Sequence, residues 1–168
     1  EEEFEGALVP IGGGKDSIVT LDIIKEDFDT NMCYVINPRG ATEETVETAG
    51  YDIGKRCYVK RTLDKNMLEL NAKGFLNGHT PFSSIVAFSG LLVAYLNKRK
   101  YIVLSNEASA NESTIYEEEV NHQYSKSYEF EEDFNKYVKE NIFKNIKYFS
   151  LLRPVSEYQI AKHFAKLP

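Results

Sequence analysis

Residues 7–11 form an apolar run, Ala7-Leu8-Val9-Pro10-Ile11, that stops at three successive glycines, Gly12, Gly13 and Gly14. Lys15, Asp16 and Ser17 follow, and a helical pattern begins behind them. Three residues without Cβ atoms let backbone N–H groups close on an anion. A helix that starts immediately afterwards adds unpaired N–H groups and the positive end of its dipole. This order of residues predicts a strand, a phosphate-cradling turn and a helix N-terminus, and so a site for a nucleotide phosphate.

Four more β-rich apolar runs occupy residues 32–36, 57–59, 101–104 and 148–152. Helical patterns lie between them. Ile18, Leu21, Ile24 and Phe28 share one face of the first helix. Thr42 can cap a second, with Glu43 and Glu44 in its first turn and Gly50 at its end. Pro81 suits the first turn of a long apolar helix. Phe130, Phe134, Tyr137 and Val138 stripe a fourth helix, and Ile160, Phe164 and Leu167 the last. Short strands buried on both sides and alternating with helices read as an α/β fold: a doubly wound, mostly parallel five-stranded sheet with helices on both faces. In such sheets the ligand sits at the strand carboxyl ends, where the strand order reverses. With the usual order, the first and fourth strands flank that crevice. The fourth ends in Ser105, Asn106 and Glu107. Residues 106–129, with three glutamates at 117–119, read as a lid or site loop.

The 168 residues suit one domain with a proper core. Residues 1–168 are expected to form a single domain of a longer protein, because the chain starts on Glu1-Glu2-Glu3 without a signal sequence and ends abruptly at Lys166-Leu167-Pro168. A net charge of −6 argues against a nucleic-acid partner. The basic residues Lys55, Arg56, Lys60 and Arg61 read as the solvated rim of a strand. Residues 80–96 carry no charge, yet Ser83, Ser84, Ser89 and Gly90 interrupt them. They read as a helix buried against the sheet, not a membrane span. Cys33 and Cys57 have no CxxC or Cys–His metal spacing. They read as small buried hydrophobes in a reducing, cytoplasmic compartment, a disulfide between neighbouring strands being the alternative.

The loop GGGKDS fits neither GxxxxGK[ST] nor GxGxxG. It resembles SGGxDS, the loop of the PP-loop ATP-pyrophosphatase superfamily, with Gly12 in place of the first Ser. Asp16 suits either a helix cap or a Mg²⁺ ligand beside phosphates. Lys15 suits phosphate screening or an exposed position. Three further blocks are rich in polar side chains: Leu76-Asn77-Gly78-His79-Thr80-Pro81, Ser105-Asn106-Glu107, and the stretch from Asn121 to Ser127. His79 and His122 lie among amides and hydroxyls and read equally as structural or proton-transferring. His163 lies in an amphipathic helix and takes no role. Lys126, between Ser125 and Ser127, suits an anion contact. Arg39, two residues after Asn37 on the predicted rim, suits a carboxylate or phosphate, and Arg153 is a weaker candidate of the same kind.

GGGKDS, LNGHTP, SNE and NHQYSKSYEFE together resemble the UDP-N-acetylmuramoyl-L-alanyl-L-glutamate epimerase family of peptidoglycan synthesis, over residues 12–131. The resemblance implies an enzyme dependent on ATP and Mg²⁺ that inverts the terminal L-Glu of a nucleotide-linked muramoyl dipeptide. Adenylation would remove the carboxylate's charge and make its carbonyl electron-withdrawing. A base could then take the neighbouring proton, and hydrolysis would release AMP. On this reading Gly12, Gly13, Gly14, Lys15 and Ser17 hold phosphate, and Asp16 with Glu107 holds Mg²⁺. Asn37, Arg39 and Ser105 line the nucleotide. Lys126 stabilises pyrophosphate or the activated carboxylate, and His122 and His79 are the proton-transfer candidates. The alternatives are another PP-loop adenylating enzyme (a tRNA thiolase or a deazapurine nitrile synthase) and a module that binds ATP or AMP without turnover. Thiolases commonly use catalytic cysteines, for which Cys33 and Cys57 in strands are poorly placed.

Overall fold

The computed structural model describes residues 3–76, 81–111 and 124–167. β1 (Glu5–Pro10) occupies the centre of one sheet, between β2 (Met32–Ile36) and β4 (Arg99–Leu104). β3 (Arg56–Val59) and β5 (Lys147–Ser150) form the edges. All four pairings are parallel, in the order β3-β2-β1-β4-β5. Leu8 aligns with Met32 on one side and with Ile102 on the other. The order reverses between β1 and β4, so the crevice predicted from the sequence opens there.

The described residues form six α-helices, α1 (Lys15–Ile23), α2 (Gly40–Thr48), α3 (Lys65–Ala72), α4 (Phe82–Leu96), α5 (Tyr128–Asn141) and α6 (Glu157–Phe164). Successive β1 side chains point to opposite faces, and both faces are apolar. Ala7 and Val9, with Cys33, Val35 and Val103, pack on Leu21 of α1 and Val46 of α2. Leu8, with Tyr34, Ile102 and Tyr148, packs on Ala87, Leu91 and Ala94 of α4 and on Phe130, Phe134 and Val138 of α5. Full burial of each Leu, Ile or Val stabilises the fold by about 1.5–3 kcal/mol. α6 leans on α1 through Val19, Leu152 and Ile160. Helices therefore cover both faces, as the alternation predicted.

Several local expectations are corrected. α1 stops at Ile23, and Phe28 belongs to a 3-10 stretch, Lys25–Thr30. Of the expected α1 stripe only Leu21 is fully buried; Ser17 and Thr20 are buried as well, because that side of the helix backs the site. Thr42 is not the cap of α2. Arg39 occupies that position, and Thr42, three residues on, accepts from the Arg39 N–H at 2.8 Å. The uncharged α4 buries only one face, leaving Phe88, Leu92, Tyr95 and Leu96 exposed. Tyr137 and Phe164 also stand largely in solvent, outside their expected stripes. α3 was not anticipated. None of its residues is buried, so it has no apolar stripe, and Asp64 starts it by accepting from Asn66 and Met67 N–H groups. Cys33 is buried and Cys57 half-buried, and both are free thiols. The register sets Cys33 against Arg56 and Cys57 against Tyr34, which removes the disulfide alternative. Among the described residues no helix is long and apolar enough to cross a membrane.

Candidate functional site

The glycine loop sits at the carboxyl end of β1, and its three glycines have different surroundings. Gly13 has φ +80°, and a Cβ there would lie 3.0 Å from the Thr42 N and Cγ2 atoms. The loop therefore lies directly against the start of α2. A Cβ on Gly12 or Gly14 would meet nothing within 4 Å, so both face open space. Gly14 is the N-cap of α1 and provides no side-chain cap. Asp16, one of whose candidate roles was capping, does not supply one either. The first N–H groups of α1 are thus directed toward the loop without a side-chain acceptor. Ser17 is buried and donates its hydroxyl to the Gly14 carbonyl at 2.8 Å.

Two adjoining cavities of about 310 Å³ each open at this edge. They share Pro10, Gly12, Phe82 and Val86. One continues past Gly14, Asp16 and Ser17 to Ser105 and Asn106 of the β4 end. The other runs past Tyr34 and Ile36 to Asn37, Arg39 and Thr42. The first is lined by groups that suit phosphates, the second by groups that suit a planar apolar body with polar edges. A larger cavity, about 460 Å³, lies between α1 and α2. It is lined by Ile18, Leu21, Phe28 and Tyr51 together with Asp22, Lys25, Glu44 and Thr45, and it lies away from the β4 end.

The charged groups are already engaged with one another. Lys15 Nζ is 2.8 Å from Asp16 and 2.7 Å from Glu157 of α6. The Asp16 hydrogen bond, then that of Glu157, raises the Lys15 pKa and keeps it cationic. Burial pushes the Glu107 carboxyl up, but hydrogen bonds from the Ser109 hydroxyl and N–H, and the charges of Lys15 and Arg153, outweigh it and hold it below the usual range. Glu107 is thus an anion ready to meet a cation. Ser105 pairs with the buried Thr20 hydroxyl at 2.8 Å, and Asn106 donates to Ser150 at 3.1 Å.

Lys126 comes close to this edge through its backbone. Arg153 donates to the Lys126 carbonyl at 2.7 Å and pairs with the buried Glu131 carboxylate. Arg153 is therefore a positioning group that ties Lys126 to the end of β5, not an open anion clamp. No described residue pairs with the Lys126 amine. Asn37, with φ 52°, spends its side chain on the backbone of Arg61: it donates to the carbonyl at 2.9 Å and accepts from the N–H at 2.6 Å. Its amide is a brace between the ends of β2 and β3. Arg39 is exposed at the rim. His79 and His122 lie outside the described residues. No cluster of three or more His, Cys, Asp or Glu side chains that could hold a metal occurs among the described residues. A Mg²⁺ ion bound by one or two carboxylates and by substrate phosphates needs no such cluster, so Asp16 and Glu107 remain a fitting donor set.

Sequence reasoning missed Thr20, Glu131 and Glu157, and it read Arg61 only as part of a solvated strand rim. Thr20 lies three residues after Ser17, on the same face of α1, which is a readable signal. The other three act through partners far along the chain and left none.

The sequence model of one family, described as MurL N-terminal domain, matches residues 1–151. The chain belongs to the MurL N-terminal domain family. Curated relatives carry the name UDP-N-acetyl-alpha-D-muramoyl-L-alanyl-L-glutamate epimerase. That of Xanthomonas oryzae pv. oryzae is 36% identical over 95% of this chain, and that of Salinispora tropica is 34% identical over 95%. This MurL N-terminal domain spans about a third of the length of both, 35% in each case. Among solved structures, the U34-tRNA thiolase NcsA from Methanococcus maripaludis superposes with a TM-score of 0.61 at 14% identity, covering 96% of this chain and 56% of that one. A predicted subunit of tRNA methyltransferase from Methanocaldococcus jannaschii gives 0.53 at 16% identity, over 96% and 75%. These two likenesses establish the fold that the MurL N-terminal domain shares with them.

Proposed function

We propose that this chain is the ATP-binding, carboxylate-activating part of an epimerase that inverts the terminal L-Glu of UDP-N-acetylmuramoyl-L-Ala-L-Glu. The observation that carries the nucleotide half is the α1 N-terminus: no side chain caps it, and Gly12 and Gly14 open the way to it. The names of the relatives support the substrate half. ATP would supply an adenylyl group that turns the peptide's carboxylate into an acyl-adenylate with release of pyrophosphate.

In this reading the loop N–H groups hold the β and γ phosphates, and Ser17 turns its hydroxyl from the Gly14 carbonyl to an oxygen. Asp16 and Glu107 would hold Mg²⁺, which neutralises charge on the leaving pyrophosphate. Asp16 then gives up Lys15, and Lys15 faces phosphate. The cavity beside Tyr34 and Ile36 takes the adenosine. Lys126 stabilises the activated carboxylate, at a position fixed by Arg153. His122 and His79 remain the candidates for moving the proton, a contribution typically of about 10²–10⁴-fold. On this reading the protein acts in the cytoplasm, which suits its two free cysteines.

Titration of the chain with ATP and Mg²⁺ tests the nucleotide half, and AMP release with the muramoyl dipeptide tests the rest. We expect one nucleotide site and no AMP from Asp16→Ala. Normal AMP release by that variant removes the metal role of Asp16. No ATP uptake by the wild type sinks the reading. ATP uptake without AMP formation points to a binding module.

A further inference from the structure

The basic residues along β3 fall into two groups. Lys55 and Arg56, at its amino end, are neutralised: Lys55 lies 2.9 Å from Asp29 and Arg56 3.5 Å from Glu47. Among the described residues Arg61, just past its carboxyl end, has no carboxylate partner, and neither does Arg39 after β2. Yet Arg61 is held in place. The Asn37 amide grips its backbone N–H and carbonyl. Its guanidinium carbon stands 5.1 Å from the centre of the Phe82 ring, and Phe82 lines both cavities of the site. The Arg61 Nε is shielded from solvent and has no hydrogen-bond partner among the described residues. A shielded donor without an acceptor is costly, and a charged oxygen is the acceptor that a guanidinium fork fits best. In a chain of net charge −6, an arginine stacked in place beside a cavity and left without a counter-charge marks an anion position.

We propose that Arg61, with Arg39, forms an anion-binding subsite at the β2–β3 rim that receives the diphosphate of the nucleoside-diphosphate-linked substrate. The subsite is separate from the cradle for the ATP phosphates, which lies past Gly14 on the β4 side of Phe82. The assignment of this diphosphate rests on the epimerase reading. The chemistry it invokes, a phosphate ester on a fixed guanidinium, is also found in ATP, so the test must tell the two apart.

Titration with UDP, with and without a saturating non-hydrolysable ATP analogue, reads the subsite without turnover. UDP should bind in both conditions, more weakly as salt rises. Arg61→Gln should weaken UDP at least tenfold and leave the affinity for the analogue within about twofold. Arg61→Lys should restore only part, because an ammonium lacks the fork and the planar stack. It also decides the matter should Arg61→Gln fail to fold, as judged by its circular dichroism. Arg56→Gln, at the other end of β3, should leave UDP binding unchanged. The proposal is overturned by absent UDP binding in the wild type, by unchanged UDP affinity in the Arg61 variants, or by weakened analogue binding in place of weakened UDP binding. Uptake of the analogue without UDP removes the subsite and spares the nucleotide reading. Uptake of UDP without the analogue does the reverse.

Discussion

Gly12 and Gly13 are neighbours in one loop, yet replacing them should have opposite effects. Gly13→Ala places a methyl group 3.0 Å from the α2 backbone at φ +80°. The left-handed conformation and the overpacking together should cost about 2–5 kcal/mol. Gly12→Ala meets no protein atom, so urea denaturation should find its stability unchanged. On the proposed reading its methyl group instead fills space that a phosphate would take, and calorimetry should show ATP bound at least tenfold more weakly. Equal destabilisation of both variants would show that the loop is only a turn. The sequence already placed Gly12, Gly13, Gly14, Asp16 and Ser17 together, because their chemistry is local: consecutive glycines and a helix start. Asn37 and Arg61 were both noticed but not joined, since the hydrogen bonds that link them span 24 residues. Arg153 was legible as a cation at a strand end. That it is spent on Glu131 and the Lys126 carbonyl is a fact of three dimensions.

The strands could be located from sequence because burial on both sides leaves continuous apolar runs, and helices with a stripe followed from the 3.6-residue period. α3 escaped because it buries nothing. α6 shows what else pattern cannot tell. Its stripe contributes only Ile160 to a buried cluster, and charges add to that anchorage. His163 meets Asp22 of α1 at 2.7 Å and Glu157 meets Lys15. The His163 hydrogen bond, then that of Lys25, holds Asp22 below the usual carboxylate range. A depressed value means that the stabilisation is complete above the ordinary aspartate pKa of about 3.9 and is lost as pH falls through the folded value. Amide exchange in residues 157–164, corrected for intrinsic rates and compared with β1, should therefore quicken between about pH 5 and pH 2.5. Asp22→Asn isolates the share due to Asp22: it should exchange faster already at the upper pH. Unchanged relative protection across the window would show that α6 is held by packing alone.

The molecule as a whole gathers its chemistry on one edge. Five parallel strands bring every carboxyl end to the same side, and so loops from residues 12 to 153 meet there although they are far apart in sequence. That convergence is a property of the topology, so the fold class was enough to foresee that cavities with polar linings would open at this edge. The far side of α4 is built on another principle. Phe88, Leu92, Tyr95 and Leu96 stand in solvent along one helix, kept apart from those of other molecules mainly by the repulsion of a net charge of −6. Electrolyte shortens the reach of that repulsion from about 8 Å at 0.15 M to about 3 Å at 1 M, and sulfate strengthens apolar attraction at the same time. Solutions of the protein should therefore turn from a monodisperse to a clustering suspension as ammonium sulfate is added, and clear again on dilution. Light scattering follows this directly, and Leu92→Glu should move the onset to higher salt. A row of apolar side chains on one helix thus gives the protein a salt-dependent tendency to cluster, and a dilute, low-electrolyte buffer is where it should stay dispersed.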